Sequence, residues 1–145
     1  MQMTDLLLAS HILLFGIALA LTEGVSLFLQ SVVRVSAADV TRLAGPAARL
    51  DRLGAGCWLL CAATGILLVV DLRLKFGQGW IVLSIALFII LAVNGILGHS
   101  RWLEALANSP DGKVSQRATR RKALANAVSM LIIPTLVFLM VAKPQ

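Results

Sequence analysis

Charge is scarce in this chain. Of its 145 residues, 14% are Asp, Glu, Lys or Arg, whereas soluble domains carry about 25%. The stretches between its apolar runs are too short to form a soluble domain. Cysteine is scarce as well: Cys57 and Cys61 are the two present. They lie four residues apart in one apolar run and share a helix face. A disulfide there is geometrically poor, so they read as small packing residues. Residues 1–5 hold no Lys or Arg. The first apolar run is also too long for a signal peptide, so it is expected to stay in the mature protein. Nothing resembles a Ser/His/Asp triad, a phosphate loop or a zinc cluster, and no repeat or low-complexity tract is present.

Apolar residues are what the chain has in quantity: 59% by composition, with a mean hydropathy of +0.89. They fall into four runs, at about 6–33, 53–70, 80–98 and 124–142. About 20 apolar residues at a rise of ~1.5 Å cross the ~30 Å hydrocarbon layer. Lipid offers no partner for a backbone N–H or C=O, so each run must be a helix. The expected fold is all-α: an integral membrane four-helix up-down bundle, with residues 1–145 as a single transmembrane domain.

The formal net charge is +6, and its placement argues against nucleic-acid binding. Arg34, Arg42, Arg49 and Arg52 lie between the first two runs. Arg101, Lys113, Arg117, Arg120, Arg121 and Lys122 lie between the last two. Both loops fall on one side of a four-span protein, and only Arg73, Lys75 and Lys143 fall on the other. Ten against three is a positive-inside bias, so both termini are expected outside. The basic loops should attract anionic lipid headgroups. "SAAD" at 36–39 resembles a capping box for a short interfacial helix limited by Pro46. "NSPDG" at 108–112 reads as a turn, Ser115 as an N-cap, and Pro134 as a kink in the fourth helix. Trp80 and Trp102 would form aromatic belts at the two ends of the third span. Gly16, Ala20 and Gly24 make a small-residue face on the first span, expected to pack on another helix. Cys57, Cys61 and Gly65 make a similar one on the second.

The first run contains a histidine and a glutamate. His11 would lie ~8 Å below the outer end and Glu23 ~25 Å below it, with ~120° between them around the helix. Glu23 falls near the depth of Asn94 and Asn126, and an intramembrane polar cluster of the three is expected. Its role is either an interhelical clamp or proton handling. His11 either faces a neighbouring helix or ligates a haem from an outward-side pocket. His99 reads as an interfacial residue on the opposite side, which disfavours a bis-histidine haem. Met140 falls near the depth of His11 and is the candidate second ligand.

"LLLASHILLFGIALAL", "LCAATGILL" and "GWIVLSIALFI" together resemble a group of small four-helix bacterial inner-membrane proteins. The group includes the HemJ-type protoporphyrinogen oxidases and CopD-like copper-resistance domains. "NAVSMLIIPTLVFLMVAKPQ" is similar to the HemJ ending. The resemblance implies a four-helix bundle in a bacterial inner membrane. It makes His11 the counterpart of a first-helix histidine linked to b-type haem. The chain departs from the pattern where a lysine follows Gly-Trp in the third helix and where an arginine comes late in the first. The oxidase reaction is therefore not carried over. Two function classes remain open. One is a tetrapyrrole-binding membrane protein with His11 as ligand. The other is a non-catalytic accessory subunit of a larger membrane complex or a homo-oligomer.

Overall fold

The computed structural model describes residues 3–33, 37–109 and 114–142. Four long helices account for most of them. Helix α1 comprises Met3–Leu19, a π-helical turn Ala20–Gly24, and Val25–Val33. Helix α2 is Ala37–Asp71. Helix α3 comprises Gly79–Asn94, a π-helical turn Gly95–Ser100, and Arg101–Ala107. Helix α4 is Gln116–Ala142. All four are long and apolar enough to span a membrane. The outer surface agrees with that: Leu59, Leu131 and Val141 are each more than seven-tenths exposed. Lipid solvates such side chains as well as a protein core does.

Each helix is longer than its apolar run. Helix α2 continues through Pro46, so the expected short interfacial helix is the first part of α2. Helix α3 continues past His99 to Ala107. Trp102 is therefore no belt residue. It is 5% exposed and sits in a core of Leu29, Ala44, Ala47, Leu103 and Leu106. The Ser115 cap is present, with its hydroxyl accepting from the Ala118 N–H at 3.3 Å. Ser36 and residues 110–112 of the expected turn lie outside the described residues.

The bundle is two antiparallel hairpins, α1 with α2 and α3 with α4. At one end Thr4 donates to Asp71 at 2.6 Å. Helix α2 ends there in a Schellman motif: Leu74 N–H bonds Val69 O at 2.9 Å and Arg73 N–H bonds Val70 O at 3.0 Å. Arg73 takes the left-handed position (φ 52°) that glycine usually fills. Trp58 joins the hairpins at mid-height. Its ring meets Phe15 at 5.4 Å and Phe88 at 5.8 Å, both edge-on, and its Nε1–H donates to Thr22.

The small residues that allow close approach are mostly not the expected ones. Gly16, Ala20 and Gly24 are exposed, and no atom of another helix lies within 4 Å of a Cβ built on Gly16 or Gly24. The tight contacts are at Gly54, where a Cβ would stand 2.6 Å from Thr22 Cγ2, and at Gly98 against Ala125. On α2, Cys61 and Gly65 do face α1 as expected.

Candidate functional site

Both π-helical turns lie at the loop-side end of the bundle, and each carries one half of a carboxyl–imidazole contact. A π-helical turn adds a residue to the helix and often marks a functional position. Glu23 sits in the turn of α1 and His99 in the turn of α3. Their side chains meet with His99 Nδ1 3.2 Å from Glu23 Oε1. The His99 side chain is 2% exposed and that of Glu23 15%. His99 is thus a buried partner of Glu23 and not an interfacial residue. Its other ring nitrogen, Nε2, is buried without a well-formed hydrogen bond, although Asn126 also interacts with the imidazole. Leaving such an atom unpaired costs about 1–3 kcal/mol.

Around this pair stands a network from all four helices. Lys122 on α4 is 1% exposed. Its ammonium donates to Asn126 Oδ1 at 2.7 Å and lies 5.9 Å from the Trp102 ring centroid. Asn126 donates onward to Gln30 at 3.3 Å. Lys122 interacts favourably with both Glu23 and Asp51. Asp51 on α2 is 5% exposed and accepts from Ser100 at 2.7 Å. Asn94 donates to Ala125 O at 2.9 Å and to Ser129 at 3.3 Å, and Ser129 also interacts with Glu23. Glu23, Asn94 and Asn126 therefore belong to one polar region, joined through Ser129 and Lys122. The direct partner of Glu23, however, is His99.

Three members of this network look like loop residues in the sequence. Asp51, His99 and Lys122 all sit among charged neighbours at the ends of apolar runs. No apolar stripe marks them: Lys122, Ala125, Ser129, Ile132, Leu136 and Leu139 are buried at spacings of three and four, but the exposed positions of the same helix are as apolar.

The charges in this cluster can be counted. Two carboxylates, the half-buried Glu23 and the buried Asp51, interact with one buried ammonium, Lys122. One proton on the Glu23–His99 pair brings these groups to neutrality, the favoured condition for charges held away from water.

His11 occupies a separate place in the half of α1 away from the loop-side end. Its Nδ1–H donates to Cys61 O at 2.9 Å, with Thr64 Oγ1 at 3.1 Å, and its ring packs on Gly65. A carbonyl only accepts, so Nδ1 carries the proton and Nε2 is the nitrogen able to ligate a metal. The donor chemistry therefore fits one axial haem ligand. Met140, the candidate second ligand, lies half-buried on α4, while the His11 Nδ1 edge faces α2. Cys57 and Cys61 are free thiols. Among the described residues, no group of three or more His, Cys, Asp or Glu side chains is placed to hold a metal ion.

Comparison of the chain with family models, with curated proteins and with solved structures finds no match.

Proposed function

We propose that this is a proton-coupled membrane protein whose working element is the Glu23–His99 pair at the loop-side end of the bundle. The observation that carries the reading is the pair itself: an acid and an imidazole in contact, each on a π-helical turn, with the imidazole fully buried. Intramembrane ionisable groups are costly and concentrate where protons or ions are handled. The pair gains one proton and the buried cluster becomes neutral. It loses that proton and the cluster carries one negative charge. A helix bundle whose buried charge changes with proton occupancy has a physical reason to favour two arrangements. In bilayers, pH-difference infrared spectra should contain a carboxyl band that vanishes in Glu23→Gln and shifts in His99→Asn. Identical difference spectra in all three proteins overturn the reading.

The location we propose is a bacterial inner membrane, with both termini outside. The charge bias supports that orientation even without Lys122, which is buried in the bundle. Reporter fusions at Lys113 and Gln145 should be cytoplasmic and external, respectively; cytoplasmic activity at Gln145 reverses the orientation.

His11 supports a second reading, in which its Nε2 holds a b-type haem. The Nδ1–carbonyl bond favours it, because this bond orients a ligating histidine and raises its basicity. When bound, a haem supplies one-electron chemistry. Protein purified from haem-replete cells should then show a Soret band, lost in His11→Ala and kept in Glu23→Gln. A wild-type spectrum without that band overturns this second reading alone.

A further inference from the structure

A cavity opens between α2 and α3 beside the buried network. It is lined by Ala48, Asp51, Arg52, Ala55, Ser100, Leu103 and Glu104, and its volume is about 60 Å³. One water needs roughly 10–15 Å³ of such space together with polar partners, so the cavity has room for a few. Its polar wall contains a buried carboxylate (Asp51), a hydroxyl (Ser100) and two exposed charged side chains, Arg52 and Glu104. The exposed pair places its mouth at the loop-side surface. Its inner wall is Asp51, fixed by the Ser100 hydroxyl. Ser100 is the chain neighbour of His99, in the same π-helical turn.

We infer that Asp51 is the residue through which protons reach the Glu23–His99 pair from the loop-side water. This inference rests on the proton-coupled reading above. The charged and titratable groups facing Asp51 come from three helices: Arg52 on α2, Glu104 on α3 and Lys122 on α4. Glu23 on α1 also interacts with it. A hydronium in the cavity gives its proton to the Asp51 carboxylate and leaves water. Asp51 then gives the proton up to the Glu23–His99 pair and returns to carboxylate. The pair gains one proton and the solvent loses one. Arg52 and Glu104 at the mouth offset each other, so the entrance holds no excess charge to repel a cation. Lys122 is buried and is not part of the cavity lining. It interacts with both carboxylates and keeps a negative charge tolerable at each in turn.

The test is a pH jump on the full chain in bilayers of phosphatidylcholine and phosphatidylglycerol, tracked by the infrared band that Glu23→Gln removes. Asp51→Asn, jumped across its own protonation transition, should slow the appearance of that band by about a hundredfold, the lower end of what a positioned proton-transfer group contributes. Asp51→Glu should restore the rate. An Asp51→Asn protein as fast as wild type overturns the inference and leaves the Glu23–His99 reading standing. A band unaffected by Glu23→Gln overturns that reading instead. A second measurement decides the route if Asp51→Asn fails to fold or if that band is lost. With Cys57 and Cys61 replaced by Ala, Ala48→Cys should react with a charged, membrane-impermeant thiol reagent added on the loop side. No reaction there means that water does not enter this cavity, and the route is wrong.

Discussion

Gly98→Ala tests the closest helix contact in the bundle and the site beside it. A Cβ on Gly98 would overlap the Cβ of Ala125 and stand 3.6 Å from Ala125 Cα and from Arg121 O. These are backbone-anchored atoms, so no side-chain rotation relieves the overlap. Helices α3 and α4 must part by about 1 Å, and such overpacking costs ~1–3 kcal/mol. Ala125 is 2% exposed and its carbonyl holds the Asn94 amide at 2.9 Å. Stretching that bond adds about 1 kcal/mol. Against this, alanine is better than glycine in a helix by ~1 kcal/mol. The net expectation is a loss of about 1–3 kcal/mol, or roughly 3–10 °C in melting temperature for a chain of this size. Gly95→Ala is the control. It lies in the same π-helical turn with nothing within 4 Å of its Cβ, so it should be neutral or slightly stabilising. Thermal unfolding in detergent, read by circular dichroism, compares the two. A Gly98→Ala protein that melts with Gly95→Ala would refute the packing of α3 on α4 described here.

Other substitutions probe different parts of the structure. Lys122→Met removes the Asn126 hydrogen bond and the ammonium with which both carboxylates interact. Breaking such a buried charge group costs about 3–5 kcal/mol. Glu23→Gln in the same chain should recover part of the loss, whereas strictly additive effects in denaturant unfolding would show that the two residues are not coupled. Ala20→Leu should leave the melting temperature of the monomer within a degree or two (~0.5 kcal/mol or less), because Ala20 is exposed; a marked drop would mean that a helix covers it. Arg73→Gly should stabilise by ~1 kcal/mol, since Arg73 holds a left-handed conformation that costs a side-chain-bearing residue about that much. A lower melting temperature would count against the Schellman ending of α2.

Much of the architecture is legible in the residues alone, for one physical reason. A bilayer has a set thickness and no water, so run length and polarity dictate how many helices cross it. The four runs, the Ser115 cap and the Cys61–Gly65 face of α2 are all visible at that level. The inward faces are not. Gly16, Ala20 and Gly24 have the spacing of a packing face yet are exposed, while Ala18, Gly54 and Gly98 do the packing. In a soluble helix the apolar side points inward. In a membrane helix lipid and core are equally apolar, and that signal vanishes. The polar site was hidden for a related reason. Asp51, His99 and Lys122 stand beside other charges at the ends of apolar runs, and polarity there says only that a residue can leave the hydrocarbon. Whether it leaves, or turns inward to a partner, depends on where the neighbouring helix stops and how it is rotated. Glu23 and His99 meet because each helix carries an extra residue in a π-helical turn at that depth, and an extra residue rotates the rest of its helix by roughly 100°. No hydropathy run records such a turn, so the pairing was decided only when the helices packed.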